Sequence, residues 1–401
     1  MHQELAYFNS NDGTSRLALG MTHQLVMGSE RDSLSELDQF LSNHQGKDIV
    51  LAISYDLKNK IENLTSNNSD HVGIPEVVAW VPSTVVLLEG EMITEVRGDY
   101  SPNLQYDVED FFRSKEQSSQ AFPHFFEPTI SREEYIRRVK ELKKAIQHGT
   151  VYEVNFCHEY LAENVTIENP QSYYHKLNAI TKAPFSCYMN FDNFCIFSGS
   201  PERFLSRKGQ RLISEPIKGT RRRGATVKED EALKEELYND PKERSENIMI
   251  VDLVRNDLSR IASPASVKVE ELFGIYTFET VHQLISRVVC DIPSSTSFSE
   301  ILRATFPMGS MTGAPKISAM ELIESQESFK RGLYSGTVGF VEPNGDFELN
   351  VMIRSILHNR AKRISSCSVG SAITVLSDPA LEYEECQTKI RRILDGMHGE
   401  S

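Results

Sequence analysis

The 401-residue sequence has a single tryptophan, and none of its six cysteines stands in a Cys-x-x-Cys pair. Cys157, Cys187, Cys195, Cys290, Cys367 and Cys386 are spread over most of the chain. That argues against a zinc ribbon or a disulfide scaffold and reads as reduced thiols in a cytosolic protein. Long apolar runs are also missing. The most apolar stretch, residues 77–88, is interrupted by Pro82, Ser83 and Thr84 and falls well short of the ~20 residues needed to cross a bilayer. The first residues, Met1-His2-Gln3-Glu4, have neither the basic start nor the apolar segment of a signal peptide. A cytoplasmic protein with no membrane partner is therefore expected. Positive charge is scarce: 43 Lys and Arg face 57 Asp and Glu, for a net charge of −14. A general nucleic-acid binder needs a basic face, so nucleic acid is not expected as a partner. No histidines stand at HxxxH or HExxH spacing. Residues 310–316 read S-M-T-G-A-P-K, whereas a phosphate loop needs its lysine directly after glycine. The turn still offers backbone N–H groups to a carboxylate.

Hydrophobic content of 39% and charged content of 25% fit a globular protein. Residues 1–105 read mostly as strands. Ile49–Ile53, Val77–Val81, 85–88 and 92–96 are short apolar or alternating runs that predict an antiparallel meander, with a helix near 32–41. A polar, then aromatic stretch at 115–128 is the linker candidate. It divides a β-rich N-terminal region, 1–115 and integral to the fold, from a larger region at 125–397. Beyond it, Ser131 and Glu134 form a capping pattern, and Tyr135, Val139, Leu142 and Ile146 recur at helical spacing up to Gly149. Asp240-Pro241 and Asp378-Pro379 each mark a helix start, the second running to about Leu394. No βαβ rhythm is present, so the pattern predicts an α+β fold with antiparallel sheets.

Some residues invite chemistry. Cations gather at Arg221, Arg222 and Arg223, and in a dispersed group of Arg331, Arg354 and Lys389. Glu243 and Glu246, and likewise Glu382 and Glu385, lie three apart and share a helix face. Magnesium takes one or two carboxylates plus water and substrate oxygens; by spacing alone these acids also read as solvated helix faces. Lys218 sits in E-P-I-K-G-T. A nucleophilic lysine must be neutral, and from a pKa of about 10.4 only roughly four in ten thousand are so at pH 7. The arginines just downstream are expected to lower that pKa, although a surface lysine is the commoner case. His282 precedes an apolar run and reads as structural.

Taken in order, several blocks resemble the chorismate-utilising enzymes. They include Tyr152-Glu153-Val154-Asn155, Ser200-Pro201-Glu202-Arg203-Phe204 and Pro216-Ile217-Lys218-Gly219-Thr220. Glu243-Arg244-Ser245-Glu246-Asn247, Tyr334-Ser335-Gly336-Thr337-Val338-Gly339 and Ile353-Arg354-Ser355 follow, then Ser377-Asp378-Pro379 through Glu385 and Lys389. The resemblance covers about residues 130–395. It implies two layered antiparallel β-sheets with outer helices and a cleft between them. It implies Mg²⁺ held by Glu246 and Glu385, and chorismate contacted by Thr220, Thr312, Gly313, Tyr334, Gly339, Arg354, Gly370 and Lys389. Glu202 matches a general acid whose pKa burial should raise. Lys218 matches the nucleophile of the branch that aminates chorismate at C4, where the anthranilate branch has alanine. Isochorismate and salicylate synthases use a lysine base at the place of Glu153. The implied activity is formation of 4-amino-4-deoxychorismate on the way to 4-aminobenzoate and folate. Ammonia would come from a glutamine amidotransferase partner, and a downstream aminodeoxychorismate lyase would take the product. An anthranilate-forming subunit and a catalytically silent chorismate binder are the alternatives. There are departures. Gln283 stands where many relatives have histidine, Glu153 where glutamine is usual and Arg222 where proline is common. The L-L-E-S element tied to tryptophan inhibition is absent, so tryptophan feedback is not predicted.

Overall fold

The computed structural model describes residues 4–28, 32–99, 102–119, 122 and 125–399. Parts of the linker candidate, residues 120, 121, 123 and 124, lie outside the described residues. Alternating side chains along the strands explain the layering. In Leu5–Asn9 and Thr14–Leu19, the small Ala6 and Ala18 face one way while Leu5, Tyr7, Leu17 and Leu19 face the other. The first set packs against a second sheet, in a cluster with Trp80, Ile196, Leu205 and Val338. The second set packs under helices, with Val108, Tyr135, Tyr173 and Ile390.

Two antiparallel sheets result, as the sequence predicts. The first runs from Gly313–Ala314 through Glu153–Ala162, Ile364–Ile373, Ser355–Asn359 and Phe194–Ser200. It continues through Phe185–Phe191 to the N-terminal strands and ends at Met92–Gly98. The second runs from Ile217–Arg222 through Val281–Asp291, Arg211–Glu215, Arg203–Lys208 and Phe347–Asn350. It then passes through Thr337–Val341, Ile49–Ile53 and Val77–Val81 to His23–Met27. No helix among the described residues is long and apolar enough to cross a membrane.

The expected N-terminal meander is corrected. Val77–Val81 pairs with Ile49–Ile53 in the second sheet, while Thr84–Glu89 pairs with Met92–Gly98 in the first. Pro82 has no N–H to continue a ladder, and the chain changes sheet there. Ile49–Ile53 and Val77–Val81 are buried at every position, as strands covered on both faces must be. The N-terminal strands are therefore shared between both layers.

Two helices matter for the site. Pro241–Ser259 and Pro379–His398 each begin with an Asp-Pro pair. Asp240 accepts from the N–H groups of Lys242 and Glu243, and Asp378 from those of Ala380 and Leu381. Each cap contributes about 1 kcal/mol, and proline at the first helical position loses no helical hydrogen bond. The second helix runs four residues beyond the expected Leu394, to His398.

Candidate active site

The ends of both sheets and the first turns of these helices enclose a cavity of about 540 Å³. Sheet one supplies Asn155 and residues 368–372 of the strand Ile364–Ile373, and sheet two supplies Ile217 to Arg222 and Gln283. The helices supply Glu243, Glu246, Glu382, Glu385 and Lys389. Lys242 Nζ, 3.5 Å from Glu382 Oε1, ties one helix to the other.

Lys218 is buried in this cleft. Its Nζ donates to Glu153 Oε1 at 2.7 Å and lies 4.0 Å from Glu246 Oε2. Burial alone would lower its pKa, but Glu153 and Glu246 outweigh burial and raise it above the ordinary lysine value. This corrects the expectation that the downstream arginines lower it. Arg221 pairs with Glu236 at 2.9 Å and Asp240 at 2.6 Å, and Arg223 pairs with Asp230 at 2.8 Å. Arg222 pairs with Glu229. Their charges are already answered. Arg331 is corrected as well: it is buried against Glu327 at 2.6 Å, with its guanidinium 4.6 Å from the centre of the Tyr55 ring. It is absent from the cavity lining.

Glu202 faces the same cavity. Ser310 Oγ donates to its Oε1 at 2.7 Å. Burial pushes its carboxyl up to about 7, against the pull of Ser310 and Lys218. Glu246 is raised to about 7, first by burial, with Lys218 opposing. Its Oε1 is buried with no hydrogen-bond partner among the described residues. For Glu385, burial is outweighed by Lys389, whose Nζ lies 2.7 Å away, and its carboxyl sits below the usual glutamate value. Lys389 also donates to the Gly370 carbonyl at 3.2 Å. Among the described residues, no three Asp, Glu, His or Cys side chains gather as a self-sufficient metal site.

Of the residues expected to contact substrate, Thr220, Tyr334, Arg354, Gly370 and Lys389 line the cavity. Thr312, Gly313 and Gly339 do not. Thr312 is fully buried, its hydroxyl donating to the Met308 carbonyl at 3.2 Å. Gly313 pairs with Val154 at φ +144°, where a Cβ would strike the Glu153 carbonyl. Gly339 pairs with Leu349, and a Cβ there would strike the Glu348 carbonyl. Backbone packing accounts for both glycines. Gly339→Ala is expected to cost about 1–3 kcal/mol of stability through overpacking, read as a lower denaturation midpoint.

His282 is enclosed, with Nε2 2.8 Å from Asp230 and Nδ1 3.0 Å from Thr277, which agrees with its structural reading. Arg392, which the sequence did not single out, also lines the cleft, as do Ser310 of the 310–316 turn and Gln283, noted only as a departure from histidine, whose Oε1 is buried without a hydrogen-bond partner among the described residues. Glu153 was visible only as a departure from glutamine; its place beside Lys218 is tertiary.

The architecture defines a two-sheet α+β protein whose interlayer cleft carries acids, lysines and arginines suited to a small polyanion. A family model described as chorismate binding enzyme matches residues 3–395, and the chain belongs to that family. It is 42% identical over 269 residues to "Aminodeoxychorismate synthase" of Streptomyces griseus, covering 66% of this chain and 36% of that protein. It is 37% identical over 266 residues to "Aminodeoxychorismate synthase component 1" of Klebsiella aerogenes, covering 66% and 58%. The chain thus spans about a third to three-fifths of those relatives' lengths. The solved anthranilate synthase component I from Streptococcus pneumoniae TIGR4 superposes with a TM-score of 0.81 at 25% identity, covering 95% of this chain and 92% of that one.

Proposed function

We propose that this chain aminates chorismate at C4, giving 4-amino-4-deoxychorismate, with ammonia supplied by a glutamine amidotransferase partner. A separate lyase would then release 4-aminobenzoate, the precursor on the folate route. The observation that carries this reading is Lys218, a buried amine held at the cleft wall by Glu153, in a cavity that also holds the raised carboxyl of Glu202. The names of the relatives, read beside the family match, support it. The cavity volume lies within the roughly 300–1,000 Å³ of small-molecule sites.

Each residue has a role in this reading. Lys218 gives up a proton, for which Glu153 is the neighbouring acceptor. Its free amine then attacks C2 of the ring. Both ring double bonds shift, C1=C2 to C1=C6 and C5=C6 to C4=C5, the C4–O bond breaks, and Glu202 protonates the departing hydroxyl, which leaves as water. Ammonia attacks C4, the C2–N bond breaks and Lys218 is released. Arg354 and Lys389 hold substrate carboxylates through charge-assisted hydrogen bonds, and Tyr334 closes the pocket beside them.

Magnesium fits the donor set. Glu246 and Glu385 offer carboxylate oxygens from two helices, and Glu246 Oε1, buried without a hydrogen bond and 3.9 Å from Lys242 Nζ, is an oxygen a hard cation would satisfy. When bound, the ion would neutralise the ring carboxylate of the substrate. Glu246→Gln or Glu385→Gln is expected to weaken apparent magnesium affinity by about tenfold or more; a magnesium titration of activity reads this, and an unaltered curve removes them as ligands.

The deciding experiment incubates the purified chain with chorismate, Mg²⁺ and ammonium, with and without added aminodeoxychorismate lyase. Formation of 4-aminobenzoate only with lyase supports the reading. Anthranilate, or unconsumed chorismate, overturns it.

A further inference from the structure

Two arginines that line the cleft, Arg354 and Arg392, have no carboxylate among the described residues paired with them. Glu385, Lys389 and Arg392 lie at i, i+4 and i+7 along Pro379–His398, one face of the helix, and all three line the cavity. Glu385 answers Lys389 at 2.7 Å. Arg354, which lines the same cavity, has a backbone φ of +52°, a left-handed conformation that non-glycine residues keep only where the surroundings impose it. Its side chain makes no ion pair or hydrogen bond with any described residue, and neither does that of Arg392. By contrast, Arg221 and Arg222, which border the same cavity, each have a carboxylate partner. Burial, and then the charge of Arg392, push the Arg354 guanidinium down to about 10, against the pull of the Glu202 carboxyl. Two guanidiniums that line one cavity, neither ion-paired with a carboxylate, repel unless an anion lies between them. Of the proposed metal ligands, Glu246 Oε2 lies 4.0 Å from Lys218 Nζ, and Glu385 stands two turns, about 10 Å, before Arg392 on its helix.

We propose that Arg392 is a second arginine of the substrate site, which joins Arg354 in holding the carboxylate a dicarboxylate substrate carries away from the metal end. On the reading of the cleft as a chorismate site, on which this rests, that group is the enolpyruvyl carboxylate. A planar fork from each wall suits a carboxylate's two oxygens. The chain would thereby select against ring acids that lack a side-chain carboxylate.

The test compares the purified full chain with Arg392→Ala and Arg392→Lys. Amination kinetics with chorismate are measured together with competitive inhibition by 4-hydroxybenzoate, which keeps only the ring carboxylate. Arg392 is exposed, so its replacement leaves the core intact. Arg392→Ala is expected to raise KM for chorismate about tenfold or more, to change kcat little, and to leave 4-hydroxybenzoate inhibition unchanged. Lysine restores part of the loss. An unchanged KM overturns the proposal, as does an equal loss for both ligands, which would mark a general field rather than a carboxylate contact. Failure of the unsubstituted chain to bind or turn over chorismate overturns the function reading itself, and this proposal with it.

Discussion

Lys218→Ala should lower amination by on the order of a thousandfold or more and remove any covalent adduct between chain and substrate. The expectation follows from where the amine sits. Its Nζ is in the cleft, hydrogen-bonded to one carboxylate at 2.7 Å and 4.0 Å from a second. Those carboxylates hold it protonated at rest, so its free-amine fraction at neutral pH is below the roughly four in ten thousand of an ordinary lysine. Proton removal must therefore accompany substrate binding. A cation bound beside Glu246 would weaken the hold of the acids on the ammonium and favour release of the proton to Glu153. Intact-mass spectrometry of the chain quenched with chorismate, before ammonium is added, reads the adduct. Unaltered turnover in Lys218→Ala would remove the lysine from the chemistry. Loss of turnover with the adduct still present would place the nucleophile elsewhere.

How much of this was legible in the sequence depends on how local each cause is. The two helix starts were readable because Asp240-Pro241 and Asp378-Pro379 carry their caps within three residues. The helix after Ser131 was readable for the same reason, and its four apolar positions are all buried. The strand runs at 77–81 and 84–89 read alike, and nothing in their periodicity told which sheet each would join. That was decided by Pro82 and by which partners remained to cover both faces of Val77–Val81. The charge environment of Lys218 was not legible at all. Three consecutive arginines nearby suggested a positive field, but Val227–Asn239 and the helix after it bring Glu229, Asp230, Glu236 and Asp240 to them. The decisive neighbour, Glu153, is 65 positions away. Ordered motif blocks located the cleft, but letters alone did not separate Gly370, which borders it, from Gly313 and Gly339, which serve strand packing.

Glu202→Gln should lower kcat by roughly 10²–10⁴-fold, the usual contribution of a positioned general acid, while leaving the fold at least as stable. Glutamine keeps an oxygen to accept from Ser310 Oγ and cannot ionise, so the variant separates proton donation from packing. The carboxyl stands at about 7 because burial disfavours its charge. It is protonated below that pH and ionised above it, so amination limited by this proton falls as pH rises through about 7. The sign for stability is the same. A carboxyl whose folded pKa exceeds its unfolded value contributes fully below the ordinary glutamate pKa, and the contribution is lost as pH rises from about 4.5 through about 7. At pH 8 the unsubstituted chain therefore carries a penalty that Glu202→Gln lacks, about 1–3 kcal/mol, whereas at pH 4 the two should unfold alike. Denaturation at both pH values reads one half of this expectation, and the pH profile of kcat reads the other. A variant that keeps the alkaline fall in kcat would assign that limb to another group. A variant that keeps full activity would leave the departing hydroxyl to be protonated by water.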